Sequence, residues 1–388
     1  MKKLKVITIL GTRPDMIKLS CVIAELDRTM SHVLVHTGQN YDHELSQIFF
    51  DELEIRKPDY FLKIATGNLA EDMANVIRKA DGVFEKERPD AVLFYGDTNS
   101  TLAVLSAKRR KIPIFHMEAG NRCFDMRVPE EINRKIIDHL SDINMTISEH
   151  ARQYLIQENL PPNQIIKTGS CMQEVFQYYW PKIESSEILS VLKIKAKDYF
   201  IVSLHREDNV DTAKNLHTLL NALCEITDFY KKHIVISTHP RTRKNLEALI
   251  TAEHLDKLKQ KITFLKPFGF CDYIKLQLNA YCVLSDSGSL TEEASILNFP
   301  AVTLRRMHER PEGMDVGTLI MTGYNTNRIL QAIDIVVSQH DVNKRQIDIV
   351  PDYQTNNVSK KVSRIITSYV DYINTKIWHK KIEEGNNE

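Results

Sequence analysis

Residues 6–26, VITILGTRPDMIKLSCVIAEL, decide the fold class because they contain one complete strand–turn–helix unit. The β-branched run at 6–10 predicts a strand, which ends where Gly11 lets the backbone turn sharply. Pro14 suits the first turn of a helix, and apolar residues then recur at helical spacing as far as Leu26. A strand that leads directly into a helix is the building unit of α/β proteins.

The same unit recurs in both halves of the 388-residue chain. Apolar strands that alternate with helical patterns argue for parallel sheets covered on both faces. We therefore predict an α/β fold with two Rossmann-like, doubly wound domains and a ligand cleft between them. The predicted strands lie at 6–10, 32–36, 91–95, 112–115, 143–147 and 165–167, and then at 199–204, 233–237, 262–265, 281–284, 301–304 and 318–321.

The domain junction is predicted near residues 178–181, Tyr-Tyr-Trp-Pro, where the alternation breaks. We assign residues 1–171 to an N-terminal Rossmann-like domain, which the last apolar helix pattern, 358–380, is expected to join. Residues 172–357 form the C-terminal Rossmann-like domain in this interpretation. Its Ser/Gly turn at 285–289 precedes a predicted helix start, where phosphates bind, so we expect this domain to carry a nucleotide.

Composition excludes several classes of partner. Lys plus Arg and Asp plus Glu number 51 each, so there is no net basic field to attract nucleic acid or a membrane surface. No apolar run approaches the ~18 residues of a membrane span. The six cysteines show neither C-x-x-C pairs nor metal-ligand spacing, which predicts reduced thiols in a cytoplasmic protein without a metal site.

The first βα turn is a candidate anion site. A helix that begins after Gly11 presents backbone N–H groups at its positive end, and Arg13 and Lys18 add full charges. The alternative is an ordinary βα loop with surface cations.

A second candidate is the charged stretch 116–134, HMEAGNRCFDMRVPEEINR, which follows the predicted strand at 112–115. A loop that contains many charges of both signs can shift carboxylate pKa values and hold proton-transfer groups. The alternative interpretation is a solvated loop with ordinary surface ion pairs. Asp97 also follows a strand end, where it could instead be a helix N-cap or a turn former.

Residues 285–293, SDSGSLTEE, are the strongest anion motif, because a strand leads through a Ser/Gly turn into a helix. Ser289 and Glu292 are predicted to form a capping box. Ser287, Gly288 and Ser289 could then hold a pyrophosphate while Glu293 accepts hydrogen bonds from a ribose diol.

Two histidines at predicted strand ends, His205 and His239, could act as acids or bases near neutral pH, although a lone histidine is more often structural. The chain contains neither a G-x-G-x-x-G fingerprint nor a Walker A lysine motif, so a nicotinamide route has no support. Carboxylates, histidines and phosphate cradles together favour acid/base chemistry on a nucleotide-activated compound, without a cofactor.

Eight short motifs, in order along both domains, resemble the non-hydrolysing UDP-N-acetylglucosamine 2-epimerase family. They are GTRPDMIK at 11–18, HTGQ at 36–39, GDT at 96–98, EAG at 118–120, PEEINR at 129–134, HRE at 205–207, SDSG at 285–288 with EE at 292–293, and ERPE at 309–312.

The resemblance implies a glycosyltransferase-B type fold that binds a UDP-activated N-acetylamino sugar, commonly as a homodimer. It also implies elimination of UDP to a 2-acetamidoglycal, followed by re-addition. Position by position, the family's catalytic acids match Asp97, Glu118 and Glu130, and its catalytic histidine matches His205. The matched UDP-binding positions are Arg13, Lys18, Arg206, Ser287, Gly288 and Glu293, with Tyr273 as a neighbour of the uracil.

Departures from the usual pattern lie beside the reacting sugar. Asp15 occupies a position that is usually Glu in the family, and residues 121–123 are Asn-Arg-Cys rather than the usual Leu-Arg-Thr. The span from Glu118 to Glu130 is also about two residues shorter than usual. They resemble the subfamily that converts UDP-N-acetyl-L-talosamine to UDP-N-acetyl-L-fucosamine for capsule or O-antigen synthesis. A UDP-GlcNAc/UDP-ManNAc epimerase and a UDP-sugar glycosyltransferase are the alternatives, and either Glu130 or Glu131 could be the third acid. Residues 39–42 also differ from the family's Gln-His-Arg-Glu, so its allosteric site need not be present.

Overall fold

The computed structural model describes residues 3–39, 43–204, 213–238, 258 and 260–381. The chain divides into two compact units, Met1–Tyr178 with Asp352–Glu388, and Tyr179–Pro351. The domain limits read from the sequence, 171/172 and 357/358, stay a prediction.

The first unit contains a seven-stranded parallel sheet in the order β3-β2-β1-β4-β5-β6-β7. The strand order reverses direction between β1 and β4, which is the kind of position where α/β sheets bind ligands. The strands are β1 Lys5–Leu10, β2 Ser31–His36, β3 Tyr60–Phe61, β4 Ala91–Tyr95, β5 Ile114–Ala119, β6 Ile143–Thr146 and β7 Ile165–Lys167. The helices are α1 Arg13–Thr29, α2 His43–Glu52, α3 Leu69–Glu87, α4 Val104–Arg109, α5 Pro129–Leu140, α6 Glu149–Gln157 and α7 Met172–Ser185, the last of which continues into the second unit.

The second unit contains a six-stranded parallel sheet in the order β10-β9-β8-β11-β12-β13. Its strand order reverses between β8 and β11, as in the first unit. The strands are β8 Tyr199–Leu204, β9 His233–Thr238, β10 Ile262–Leu265, β11 Cys282–Ser285, β12 Ala301–Thr303 and β13 Ile320–Met321. The helices are α8 Ile188–Leu192, α9 Ala213–Tyr230, α10 Phe270–Asn279, α11 Leu290–Leu297, α12 Pro311–Asp315 and α13 Thr326–Ser338.

Burial explains why these runs form central strands. Every residue of β4 is buried, and β1 is buried from Val6 to Leu10. Side chains on both faces of each strand therefore pack under helices, as a parallel sheet requires. The predicted α/β class with two Rossmann-like domains is confirmed.

The main difference from the sequence-based prediction concerns β5. It was expected to end at Phe115 but continues to Ala119, so His116 and Glu118 lie on the strand rather than in a loop. A buried histidine is tolerated there because both ring nitrogens have partners: Nε2 lies 2.8 Å from the carbonyl oxygen of Gly96, and Nδ1 lies 2.9 Å from Oδ1 of Asp138.

The last helix of the described chain, α14 (Val358–Tyr372), belongs to the first unit and packs against α1. Its buried face carries an apolar residue every fourth position, with Val358, Val362, Ile366 and Val370 almost fully covered. A π-helical turn, Ile373–Ile377, follows directly. Among the described residues, no helix has both the length and the apolar character needed to cross a membrane.

Candidate active site

Three carboxylates lie at the carboxyl edge of the first sheet. Asp97 follows β4, Glu118 is the penultimate residue of β5, and Glu130 lies in the first turn of α5. Because β4 and β5 are hydrogen-bonded neighbours with Tyr95 opposite Met117, the first two acids emerge from adjacent strand ends. The topology therefore brings together at one edge residues that are far apart in the sequence.

Glu118 is held by donors from three different elements. Its Oε2 accepts hydrogen bonds from the Tyr95 hydroxyl and from Nζ of Lys18 at 2.7 Å, while Oε1 accepts from Nδ2 of Asn121 at 3.3 Å. Three donors, one of them cationic, favour the ionised form of a carboxylate. Lys18 was predicted to bind UDP, and in the structure its ammonium group forms an ion pair with Glu118.

The backbone at Glu118 is also unusual. Its φ angle is +63°, and the pairing register between β5 and β6 shifts between Met117 and Ala119. Such a bulge re-aims a side chain, and a left-handed glutamate at a strand end costs conformational energy. Gly120, which follows at φ +81°, is required because an added Cβ would lie 2.4 Å from the carbonyl oxygen of Ala151.

Asp97 is paired with an arginine of α5. Nε of Arg134 donates to its Oδ2 at 2.7 Å, and Nδ2 of Asn133 donates to its carbonyl oxygen at 2.9 Å. The alternative that Asp97 is a helix N-cap is wrong, because Thr98 occupies that position ahead of the 3₁₀ turn Asn99–Ala103. Arg134 thus fixes the carboxylate at the sheet edge.

The structure separates the two adjacent glutamates of α5. Glu131 is 1% exposed, and it accepts hydrogen bonds from the backbone N–H groups of Cys123 and Phe124 and from Arg134 at 2.7 Å. Burial raises the pKa of Glu131, but the hydrogen bonds from Cys123 and Arg134 outweigh it and hold the pKa below its usual range. Glu130 is exposed on the neighbouring face of the helix.

A buried ionic network supports the loop that follows β5. Asp138, on α5, accepts from Nη1 of Arg122 at 2.7 Å and lies beside His116. Arg122 also makes two 2.7 Å hydrogen bonds to Glu158. Burial raises the pKa of Asp138, but the hydrogen bond with His116 and the charge of Arg122 lower it by a larger amount. The pKa of Asp138 is therefore below its usual range.

The first βα turn differs from the predicted anion site. The N–H groups of Gly11 and Thr12 both donate at 3.0 Å to Oδ2 of Asp15, so the protein's own carboxyl takes them. Burial raises the pKa of Asp15 to about 6, although these hydrogen bonds oppose the shift. Arg13 is half-buried, with its guanidinium 5.7 Å from the ring centre of Phe49.

In the second unit, β11 leads through the Ser/Gly turn into α11, as predicted. The capping box is wrong: Ser289 makes no side-chain cap hydrogen bond in the described structure, and its hydroxyl instead donates to Oε1 of Glu293 at 2.6 Å. Oε2 of Glu293 accepts from Nε2 of Gln277 at 2.7 Å. The hydroxyls of Ser287 and Ser289 lie 2.9 Å apart, so the turn forms one connected polar surface.

Glu292, the expected capping residue, lies instead 3.0 Å from Nη2 of Arg310 in a buried ion pair. Nε of Arg310 also donates to the carbonyl oxygen of Gly288 at 3.2 Å, so this arginine connects the ERPE segment to the turn. An added Cβ at Gly288 would lie 2.5 Å from Oε1 of Glu309. This glycine therefore allows the close approach of the two segments.

Tyr273, on α10, lies near the same turn. Burial raises the pKa of its hydroxyl, and the negative charge of Glu293 adds to the effect. Hydrogen bonds with Ser203 and Gln277 act in the opposite direction. The predicted uracil neighbour and the predicted ribose acceptor are thus close together in this unit.

Three of the predicted residues, His205, Arg206 and His239, lie outside the described residues. Within the described part of the chain, no group of three or more His, Cys, Asp or Glu side chains is arranged to hold a metal ion.

The contacts that hold the acids in place were not predicted from the sequence. Tyr95, Asn121 and Arg134 contact Glu118 or Asp97, and Gln277 contacts Glu293. A signal existed for Arg134, which lies one helical turn after Glu131. Tyr95 gave a weaker signal, as a residue with a polar tip at the end of an apolar strand.

Comparison with known proteins identifies the family. The sequence pattern of the family described as UDP-N-acetylglucosamine 2-epimerase matches residues 24–367. The solved structure of UDP-N-acetylglucosamine 2-epimerase from Rickettsia bellii is 57% identical, with a TM-score of 0.91 over 97% of this chain and 100% of that one. The Methanocaldococcus jannaschii UDP-GlcNAc 2-epimerase, solved in complex with UDP-GlcNAc and UDP, has a TM-score of 0.87 and 35% identity over 94% of this chain and all of its own.

A third relative carries a different substrate name. The UDP-2,3-diacetamido-2,3-dideoxy-D-glucuronate 2-epimerase of Pseudomonas aeruginosa is 36% identical over 335 residues, which are 85% of this chain and 91% of that protein. The family match covers most of the chain, and the relatives are similar over nearly their whole length. This chain therefore belongs to the UDP-N-acetylglucosamine 2-epimerase family of isomerases.

Proposed function

We propose that this protein is a UDP-2-acetamido-sugar 2-epimerase that inverts C2 by eliminating UDP and adding it back. The observation that carries this proposal is the set of carboxylates at one sheet edge, with Glu118 bound to Lys18 and Asp97 bound to Arg134. Fixed carboxylates suit a reaction that removes and returns a proton while positive charge develops at the neighbouring carbon.

The C2 hydrogen of such a sugar has no adjacent carbonyl group to make it acidic. In the proposed reaction a carboxylate takes the C2 proton, and the electron pair of the C2–H bond forms a double bond between C1 and C2. At the same time the C1–O bond breaks, and the electron pair of that bond leaves with UDP. The product is a 2-acetamidoglycal. Protonation of C2 from the opposite face, with return of UDP to C1, gives the epimer and consumes nothing, so neither an oxidant nor a cofactor is required.

We assign the roles by position. Glu118 and Asp97, each paired with a cation, act as ionised groups that accept the proton and stabilise charge at C1. Glu130, which is exposed at the start of α5, is our candidate for the third acid. His205 is proposed as the catalytic histidine on the strength of the family motif alone.

UDP binding is assigned to the second unit. Ser287, Gly288 and Ser289 precede α11, whose N-terminus favours phosphate, and Glu293 and Tyr273 lie beside them. The M. jannaschii relative was solved with UDP-GlcNAc and UDP, which supports the same ligand class here. Arg13, Lys18 and Arg206 complete the proposed set.

For the sugar, we propose the conversion of UDP-N-acetyl-L-talosamine to UDP-N-acetyl-L-fucosamine. The support is that two departures from the usual family pattern lie at the reacting edge: Asn121 contacts Glu118 directly, and Asp15 lies close enough to feel the charge of Asp97. Changes beside the acids are where a different sugar would be accommodated.

The second candidate is interconversion of UDP-GlcNAc and UDP-ManNAc. It is favoured by the names of similar proteins, including the R. bellii structure at 57% identity. A UDP-sugar glycosyltransferase shares the fold class but should show no exchange at C2.

Proton NMR in D₂O separates these candidates. The purified protein is incubated separately with UDP-GlcNAc and with UDP-N-acetyl-L-fucosamine, and C2 deuteration and new anomeric signals are followed. We expect exchange and a second UDP-sugar only with the L-fucosamine compound. Exchange only with UDP-GlcNAc would select the second candidate, and binding without exchange of either compound would overturn the epimerase proposal.

We further propose a cytoplasmic homodimer that serves capsule or O-antigen synthesis, as the family resemblance implies. Analytical ultracentrifugation of the purified chain tests the dimer directly. Deletion of the gene, followed by analysis of the amino sugars in surface polysaccharide, tests the biosynthetic role.

A further inference from the structure

Asn121 connects the buried ionic network of Arg122 and Asp138 to Glu118, the candidate catalytic base. Its side chain is 4% exposed, and Nδ2 donates to Oε1 of Glu118 at 3.3 Å. Its own carbonyl oxygen accepts from Nη1 of Arg122 at 2.8 Å. The same Nη1 donates to Asp138, which is fully buried. A continuous set of contacts therefore leads from the protein core to the carboxylate.

The network fixes the loop as well as the side chain. The N–H of Gly120 lies 3.2 Å from Oδ2 of Asp138, so the backbone on both sides of Asn121 is anchored to one buried carboxylate. Arg122 is directed into the protein, where it pairs with Glu158. Asn121 consequently has little freedom to turn away from Glu118.

We infer that Asn121 is a positioning residue that fixes the orientation of Glu118 and keeps it ionised for proton removal from C2. This inference rests on the proposed function. Oε2 already has Lys18 and Tyr95 as donors, so Asn121 supplies a donor to the other oxygen. A carboxylate that receives hydrogen bonds on both oxygens has a defined plane and prefers its charged form.

Several charged and titratable groups lie at the same sheet edge as Glu118. Helix α1 contributes Lys18 and Asp15, and α5 contributes Glu130 and Arg134. Tyr95 ends β4, and Asp97 follows that strand. None of these groups is itself altered when Asn121 alone is substituted. The effect of the amide can therefore be measured separately.

The test is the pH dependence of kcat for Asn121→Leu, which keeps the branching at Cγ and removes the donor. We expect kcat near neutral pH to fall about 10-fold, and the acidic limb of the profile to move about 1 pH unit upward, since a hydrogen bond to a charged group is lost. The second variant, Asn121→Asp, keeps the shape and places a like charge against Glu118. Its acidic limb should move further in the same direction.

The matched control is Asn75→Leu, at a half-buried asparagine of α3 outside this network, whose Nδ2 donates to the carbonyl oxygen of Ile64 at 3.4 Å. It is expected to lower the melting temperature without moving the acidic limb. In a Glu118→Gln background, Asn121→Leu should have no further effect on the C2 exchange rate.

The outcomes separate the two proposals. Absence of C2 exchange in the wild-type protein overturns the proposed function. Exchange in the wild type, with an unmoved acidic limb in both Asn121 variants, overturns the positioning role alone. A fall in kcat that merely follows the melting temperature, as in the Asn75→Leu control, also overturns it.

Discussion

At the scale of single residues, Tyr95 shows how a strand end can supply a catalytic environment. Its ring belongs to the buried apolar face of β4, while its hydroxyl reaches the carboxylate of Glu118 on the next strand. The ammonium of Lys18 lies 5.5 Å from the centre of the same ring, so hydroxyl, ring and cation form one group.

Tyr95→Phe removes the hydroxyl and preserves the packing. We expect kcat for C2 exchange to fall about 10-fold because one hydrogen bond to the ionised acid is lost. Initial rates by NMR measure the change. Tyr60→Phe is the matched control, since the Tyr60 hydroxyl also donates to a glutamate, Glu87, at 2.5 Å. Equal rates in Tyr95→Phe and the wild type would contradict the prediction.

The paired glutamates of α5 give a second prediction. Glu130→Gln should lower kcat at least about 100-fold and leave the melting temperature almost unchanged, because the side chain is exposed. Glu131→Gln should chiefly lower the melting temperature, because it weakens a buried ion pair with Arg134. Enzyme rates and thermal unfolding of both variants decide this, and the reverse pattern would assign the third acid to Glu131.

Asp15 predicts a dependence of stability on pH. Its pKa in the folded protein, about 6, lies above the ordinary 3.8, so the folded chain binds this proton more tightly than the unfolded chain. The corresponding stability is therefore complete below about pH 4 and is lost as the pH rises through about 6. Asp15→Asn keeps an acceptor for Gly11 and Thr12 without the charge.

We expect the melting temperature of Asp15→Asn, relative to the wild type, to increase steadily from pH 4 to pH 7. Thermal unfolding at a series of pH values measures this difference. Asp371→Asn, at an exposed position of α14, is the control and should show a constant difference. A constant difference for Asp15→Asn would show that the carboxyl does not titrate in this range.

Sequence alone located much of this chemistry but could not resolve its contacts. Asp97 and Glu118 stood out because each follows an apolar strand run. Glu130 and Glu131 could not be distinguished, because adjacent helical positions differ only in which face is covered, and that depends on the loop packed above them. The partners of Glu118 come from α1, β4 and the loop after β5, so local sequence carries no record of them.

At the scale of elements, the strand pattern was predictable and its ends were not. The runs at 91–95, 165–167 and 199–204 coincide with β4, β7 and β8. β3 has only two residues, too few to produce an alternation pattern. The end of β5 was misplaced because His116 looked like the start of a polar loop, whereas a buried aspartate from α5 satisfies it.

The first βα turn gives a prediction at this scale. Gly11→Ala would place Cβ 1.9 Å from Oγ of Ser100 and 2.4 Å from Oγ1 of Thr37. These two hydroxyls, which lie 2.7 Å apart in a buried hydrogen bond, would have to move. We expect a loss of about 1–3 kcal/mol in the free energy of unfolding, as for other overpacked cores. Denaturant titration measures it.

Two further variants make this test specific. Gly11→Ala combined with Ser100→Ala should recover part of the loss, because the nearest atom is removed. Gly82→Ala, in α3, has nothing within 4 Å of the added Cβ and should not destabilise the protein. Equal effects of Gly11→Ala and Gly82→Ala would contradict the steric explanation.

At the scale of the whole molecule, strand–helix alternation was sufficient to predict two parallel sheets. The order of the strands within each sheet could not be predicted from the sequence. In each sheet, a new strand can be added on either side of the first strand, β1 or β8, and the local sequence does not specify which side. Packing partners such as α1 and α14, separated by most of the sequence, require three-dimensional information for the same reason.

The contact between α14 and α1 yields the last prediction. Ile366 is fully buried on the covered face of α14, so Ile366→Ala should cost about 2–5 kcal/mol of unfolding free energy. Arg364→Ala, at an exposed position of the same helix, is the control. Thermal and denaturant unfolding should separate the two variants clearly, and equal stability would mean that α14 contributes little to the first unit.

The discontinuous make-up of the first unit has a consequence for synthesis on the ribosome. The second unit is one continuous stretch, Tyr179–Pro351, so it can fold as soon as that stretch has emerged from the exit tunnel. The first unit begins earlier, yet the surface of α1 that α14 covers stays open until residues 358–370 have been translated. The nascent chain thus carries an unfinished amino-terminal half throughout the translation of its centre, which is the period when protection by a chaperone matters most.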